Sequence, residues 1–212
     1  MAVPFYISSS PLPNLVMPRS NHLLIIDPQN DFCDLPESYL PRDPVTGNML
    51  APALPVAGAH ADMQRLARFI DTAAPALTSI TVTLDSHHRL DIAHPTFWAT
   101  GDGQPVAPFT QITAAQLRAG EFRPRHADDL PRTLSYLDEL EARGRYTLMV
   151  WPLHCEIGTW GHNVHADVRA AYSRWEDERQ FIVRKVPKGM NPWTEHYSAL
   201  MAEVPDADDP RS

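Results

Sequence analysis

Thr81-Val82-Thr83-Leu84-Asp85-Ser86-His87-His88-Arg89-Leu90-Asp91-Ile92-Ala93-His94-Pro95 changes character halfway along. Its first part alternates threonine with aliphatic residues, a period of two that predicts an extended, half-buried strand. The strand then gives way to a carboxylate and a run of imidazoles. Asp85, His87 and His94 bring one oxygen and two nitrogens onto a loop that a strand holds rigid. That donor set suits a borderline divalent ion: zinc, iron(II) or manganese. A polar loop with surface histidines is the plainer alternative.

A second stretch has the same build. Tyr146-Thr147-Leu148-Met149-Val150 reads as a strand and runs into Trp151-Pro152-Leu153-His154-Cys155, where His154 is a further candidate ligand. In an open parallel sheet the loops leaving the carboxyl ends of the strands face one crevice, so the two loops support each other. A third case is His22-Leu23-Leu24-Ile25-Ile26-Asp27, an unbroken apolar run of the kind expected of a strand buried on both faces. It stops at Asp27, an acid that is costly to bury without a partner. Either it caps a turn or it works in the crevice. A fourth strand, Gln180 to Val186, leads to Pro187-Lys188-Gly189.

Helical patterns alternate with these strands. Val56 to Leu77 carries Val56, Met63, Leu66, Ala67, Phe69 and Ile70 on one face. Asp128 or Asp129 caps a helix with Pro131 in its first turn, a stripe of Leu130, Leu134, Leu137 and Leu140, and Gly144 at its end. Val164, Val168, Ala171, Tyr172 and Trp175 mark a third, and Thr194 opens a short fourth with Glu195, Tyr197, Leu200 and Met201. Alternating strands and helices predict an α/β fold: a three-layer, doubly wound parallel sheet. Residues 99–127 lack a period and read as a long excursion. Phe97 and Trp98 either wall a pocket or cover the core. Residues 1–21, rich in proline and serine, form an arm ahead of the domain at 22–212, suited to packing on a neighbouring subunit.

Composition limits the function. The chain has 212 residues, 43% of them hydrophobic, a net charge of −8 and no basic cluster, which argues against a nucleic-acid partner. No apolar run approaches the roughly 20 residues of a membrane helix, and the first residues do not read as a signal peptide. Cys33 and Cys155 are too few for a disulfide scaffold, so a cytoplasmic location with reduced thiols is expected. The 21 prolines crowd the loops and stiffen them.

The pieces together resemble a known family. Ile25-Ile26-Asp27-Pro28-Gln29-Asn30-Asp31-Phe32-Cys33, Asp85-Ser86-His87 with His94, Trp151-Pro152-Leu153-His154-Cys155 with Gly158-Thr159, and Lys188-Gly189 are similar, in order, to the nicotinamidase branch of the isochorismatase-like cysteine hydrolases. The resemblance implies an α/β three-layer fold and an amidase that converts nicotinamide or a related small amide to acid and ammonia. It implies Asp27 as general base, Lys188 as the lysine of an Asp-Lys-Cys triad, and Asp85, His87, His94 and His154 as ligands of one divalent metal. Phe32 and Trp151 stand where the family sandwiches a pyridine ring. The strand reading alone does not separate Lys188 from Lys185.

The chain also departs from the family. The family's nucleophilic cysteine lies on a further strand and helix start, and no matching turn follows Lys188. The expectation is therefore a domain whose C-terminal part is missing, with one side of the sheet open. Three readings follow: an amidase whose thiol lies outside this chain, an inactive relative that binds metal and a small ligand, or a hydrolase using metal-bound hydroxide. Four protein ligands argue against the last, since a catalytic ion usually keeps open positions. Cys155, beside His154, is the candidate substitute thiol, though a thiol there would sooner ligate the metal. The arm and the open sheet side favour a homo-oligomer.

Overall fold

The computed structural model describes residues 20–210 and 212. Its centre is a parallel sheet of three strands, His22–Ile25 (β1), Ser79–Asp85 (β2) and Arg184–Lys188 (β7), in the order β1-β2-β7. Ile25 is paired with Val82 and Asp85 with Lys188, so the strands end side by side. Helices Ala59–Ala73 (α1) and Ala166–Arg179 (α4) pack against each other. Together with the sheet they bury Ile70, Ile80, Val82, Val168 and Trp175. Each such side chain contributes roughly 1.5–3 kcal/mol relative to exposure.

The expected α/β fold with a parallel sheet is present. Leu24 and Ile26 of the first strand are exposed, so the run is not buried on both faces as its unbroken apolar character suggests. The predicted third strand is real but lies elsewhere. Leu148–Val150 (β6) pairs antiparallel with Thr110–Ile112 (β4), while Trp98–Thr100 (β3) pairs antiparallel with Phe122–Pro124 (β5). The segment read as an excursion therefore contains strands, each of three residues, together with the short helix Ala114–Arg118 (α2). A capping box between Thr113 and Gln116 starts that helix. With Leu130–Ala142 (α3) these elements enclose a second core around Trp98, Ile112, Leu137 and Val150. Phe97 and Trp98 belong to this core.

Three smaller expectations change. Asp129 is the residue before α3, but its side chain makes no cap bond there. Phe69, placed on the apolar face of α1, is exposed. The short helix from Thr194 does not form, because tertiary partners take up its polar groups. Lys188 donates to the His196 carbonyl, Glu203 N–H donates to the Glu195 carbonyl, and Thr194 Oγ1 donates to the Val204 carbonyl. Of the arm, residues 1–19 lie outside the described residues. Asn21 is bonded through its backbone N–H to Thr78 and through its side chain to Ala76. Among the described residues no helix is long and apolar enough to cross a membrane.

Candidate active site and metal centre

The site forms where the three parallel strands end. Pairing of Asp85 with Lys188 puts both side chains on one face of the sheet. Lys188 Nζ donates to Asp85 Oδ1 at 2.8 Å and sits 3.1 Å from Asp27 Oδ2. Asp27 follows β1 and adopts a left-handed backbone, φ 47°. Thr83 holds it there: Thr83 Oγ1 accepts from Asp27 N–H at 3.0 Å and donates to Asp27 Oδ1 at 2.6 Å. The Asp27 carboxylate retains 19% side-chain exposure against 7% for Lys188, so solvent reaches the acid.

The other carboxylate oxygen of Asp85 turns toward histidines. Oδ2 is 3.2 Å from His87 Nε2 and 3.1 Å from His154 Nε2. Donors about 2.0–2.1 Å from a tetrahedral ion stand about 3.3–3.4 Å apart, so these spacings fit a metal of zinc size. His94 completes the cluster, and one nitrogen from each of the three buried histidines lies within 4.8 Å of the others. Two further features suit a bound ion. His94 Nδ1 is buried without a hydrogen-bond partner. His154 Nδ1 is 2.7 Å from the Pro152 carbonyl, which only accepts, so Nε2 is the nitrogen an ion would take. The three imidazoles therefore form a group that could hold a divalent ion, with Asp85 beside two of them.

Burial and neighbouring charges set the ionisation of these groups. Burial opposes ionisation of Asp85, yet hydrogen bonds from His154 and His87, with the charges of His87 and Lys188, hold its carboxyl well below the usual range. Burial likewise opposes the charge on Lys188, and Asp85 and Asp27 more than restore it. His87 is raised well above the imidazole range against its burial, by Asp85 and Asp91. Burial and the charge of His87 push His94 down to about 4.

The remaining candidates separate clearly. Lys185 lies over the Tyr172 ring at 4.8 Å and 3.6 Å from Glu176, away from the strand ends, so Lys188 is the lysine of the site. Phe32 meets His154 edge-on at 5.6 Å between ring centres, while Trp151 meets Phe109 at 6.1 Å. The two expected ring-sandwiching residues thus have different aromatic partners. Cys155 is fully buried with its thiol pushed up by burial and by Asp85, and Cys33 is pushed up to about 11 by burial and Asp34. Neither is poised to act as a thiolate.

Three residues to which the sequence assigned no role of their own also shape the site. Thr83 is one. Gln29 is another: its side chain accepts from Asp85 N–H at 2.7 Å and donates to the Asp85 carbonyl at 2.7 Å, clamping that peptide from both sides. The third is Asp91, whose Oδ2 is 3.0 Å from His87 Nδ1. Gly189 is required where it stands. It has φ +80°, and a side chain would begin 3.4 Å from Asp85 Oδ1. Lys188 borders two open spaces: a cavity of about 260 Å³ with His196 and Met190, and an apolar groove of about 360 Å³ with Leu24, Ile26 and Tyr197.

No family model matches the chain, and no curated protein does. Solved structures do. The structure of the yeast nicotinamidase Pnc1p aligns with a TM-score of 0.51 at 20% identity, over 86% of this chain and 63% of that one. The same enzyme bound to the inhibitor nicotinaldehyde gives 0.51 at 18% identity with the same coverage. The nicotinamidase pyrazinamidase of Acinetobacter baumanii aligns at 0.48 and 19% identity, over 88% of this chain and 60% of that one. The match to the yeast structures shows that the chain has their α/β fold. The chain spans 63% of the length of the yeast enzyme.

Proposed function

We propose that this chain carries the base, the lysine and the metal ligands of an amidase that hydrolyses nicotinamide or a related small amide to the acid and ammonia. One observation supports this above the others. A single buried ammonium, Lys188, joins a solvent-touched carboxylate, Asp27 at 3.1 Å, to a carboxylate of the histidine cluster, Asp85 at 2.8 Å. That arrangement can activate a thiol beside a metal. The fold shared with nicotinamidases supports the amide as substrate class.

In this reading Asp27 takes the proton of a cysteine thiol, and the sulfur forms a bond to the amide carbon. The carbon–nitrogen bond breaks as the proton passes from Asp27 to the departing ammonia. Water then cleaves the thioester, releasing the acid and restoring the thiol. Lys188 offsets negative charge beside Asp27 as the thiolate forms. Asp85, His87, His94 and His154 would hold a divalent ion, which when bound would supply Lewis-acid polarisation of a substrate heteroatom or of water. Phe32 and Trp151 contribute aromatic walls from two loops. The thiol is neither Cys33 nor Cys155, since both are buried and raised. It comes from polypeptide outside this sequence. A cytoplasmic homo-oligomer is the expected setting.

The test is ammonia release. The protein as isolated from its own cells, supplied with zinc, iron(II) or manganese, should release ammonia from nicotinamide or from another member of a panel of small amides. The 212-residue chain alone should not. No release from the isolated protein with any of the three ions would sink the amidase reading. The burial of both thiols favours one other reading, a metal- and small-ligand-binding module without turnover. It predicts nicotinamide binding by calorimetry in a protein that releases no ammonia.

A further inference from the structure

Asp91 lies in the loop after β2 and is almost completely buried. Both of its carboxylate oxygens are committed. Oδ1 accepts from the backbone N–H of Ala93 at 2.9 Å, a turn closed two residues ahead. Oδ2 is 3.0 Å from His87 Nδ1. The Asp91 carbonyl also accepts from His94 N–H at 2.9 Å, so one residue ties together the backbone that carries two of the three histidines.

We propose that Asp91 is a positioning residue for the metal: it holds His87 in the tautomer with its proton on Nδ1 and so aims the Nε2 lone pair at the point shared with Asp85, His94 and His154. The proposal rests on the metal reading above. The argument is one of donors and acceptors. Both ring nitrogens face a carboxylate oxygen, Nδ1 that of Asp91 and Nε2 that of Asp85. Asp85 is itself a proposed ligand, so an ion at their shared point would take the place of a proton on Nε2, while Asp91, which only accepts, keeps the proton on Nδ1. In a neutral imidazole that leaves Nε2 bare. Nε2 is the atom 3.2 Å from Asp85 Oδ2, on the side of the ring toward the other ligands. His154 reaches the same state by another route, its Nδ1 bonded to the Pro152 carbonyl. The two histidines are thus set by two different acceptors. A carboxylate does more than a carbonyl, because its charge raises the donor strength of the nitrogen across the ring.

The substitution that tests this is Asp91→Asn. Asparagine can keep its oxygen on Ala93 N–H and preserve the turn. Its amide nitrogen then faces His87 Nδ1, two donors meet, and the ring proton is driven to Nε2, where it blocks the lone pair. Zinc affinity, measured by competition with a chromophoric chelator, should fall about 10–100-fold. The decisive control is His87→Ala. In that background Asp91→Asn should cost nothing further, because the nitrogen it sets is gone. In cadmium-loaded wild-type protein, nitrogen NMR should find the proton of His87 on Nδ1. Wild-type zinc binding that Asp91→Asn leaves intact overturns this proposal alone. An equal loss of affinity with and without His87 overturns it too, since Asp91 would then act through something else. Failure of the wild-type protein to bind zinc at all overturns the metal reading and this proposal with it.

Discussion

Asp85 and Lys188 are paired residues of one parallel ladder, and their side chains close to 2.8 Å at its carboxyl end. The contact makes Asp85 a hinge between two kinds of chemistry. Oδ1 faces the ammonium, and through it Asp27. Oδ2 faces His87 and His154. The backbone of Asp85 is held by the Gln29 side chain, so neither oxygen can move without disturbing both halves. A strand register therefore couples the proposed base to the proposed metal.

Removing the cation should be expensive. Lys188→Met leaves Asp27 and Asp85 facing each other across a largely buried site. Breaking a buried ion pair by deleting one partner costs roughly 3–5 kcal/mol. For a domain of this size each kcal/mol lowers Tm by about 2–4 °C. Adding Asp27→Asn to Lys188→Met should recover part of that loss, because it removes one of the stranded charges. Thermal denaturation of the single and double variants checks this. Equal stability of Lys188→Met and wild type would mean that the ammonium is not the link between the acids.

Asp27 and the metal should separate under mutation. Asp27→Asn should lower ammonia release by about 100–10,000-fold, the usual worth of a general base. Metal content, read by mass spectrometry of the elements, should not change, because Asp27 contacts Lys188 and Thr83 rather than a histidine. His87→Ala should do the reverse at the first step, lowering metal content. Loss of metal in Asp27→Asn would contradict the division of roles.

Thr83→Val tests the support of that base. The hydroxyl both donates to and accepts from Asp27, and valine keeps its shape without either bond. Loss of this part-buried pair of hydrogen bonds should cost about 1–3 kcal/mol of stability. Turnover should fall while zinc affinity holds. A variant with wild-type turnover would show that Lys188 alone orients Asp27.

Thr83 also shows where sequence reading reached and where it stopped. Asp27, Asp85, His87, His94 and His154 stood out because polar residues that follow apolar strands are conspicuous, while only the family resemblance favoured Lys188 over Lys185. Thr83 lies inside the strand, where alternation already accounts for a threonine, so nothing marked its hydroxyl as different. Gln29 and Asp91 were invisible for another reason. Their roles depend on which atoms face them across the fold, and spacing alone carries no such information. The three-residue strands Trp98–Thr100, Thr110–Ile112 and Phe122–Pro124 are too short to display a period. Without Thr110–Ile112 in view, Leu148–Val150 looked like another member of the parallel sheet. The stretch after Thr194 carried a helical pattern that lost to buried tertiary bonds at Glu195 and His196.

Acid should weaken the fold at a second histidine pair, away from the metal ligands. His165 precedes α4 and is fully buried; its Nδ1 accepts from Asp167 N–H at 3.2 Å, and its Nε2 is 2.9 Å from His60 Nδ1. Both nitrogens are thus in use by the neutral ring. Tyr39, which donates to Asp167, packs against both rings, and Asp34 accepts from the backbone of His60. Burial is the main cause that lowers the pKa of His165, and the charge of His60 adds to it while Asp167 opposes. A lowered value in the folded state means that the unfolded chain binds the proton first, at about 6.5. Stability from this residue is complete above that pH and declines as pH falls from 6.5 through the lower folded value. His165→Asn keeps an oxygen to accept from Asp167 N–H but cannot take the proton. The fall in Tm between pH 7 and pH 5 should therefore be shallower in this variant than in wild type. His94, His162 and His196, also lowered by burial, titrate in both proteins and cancel in the difference. Parallel Tm curves for the two proteins would remove His165 as a source of acid sensitivity.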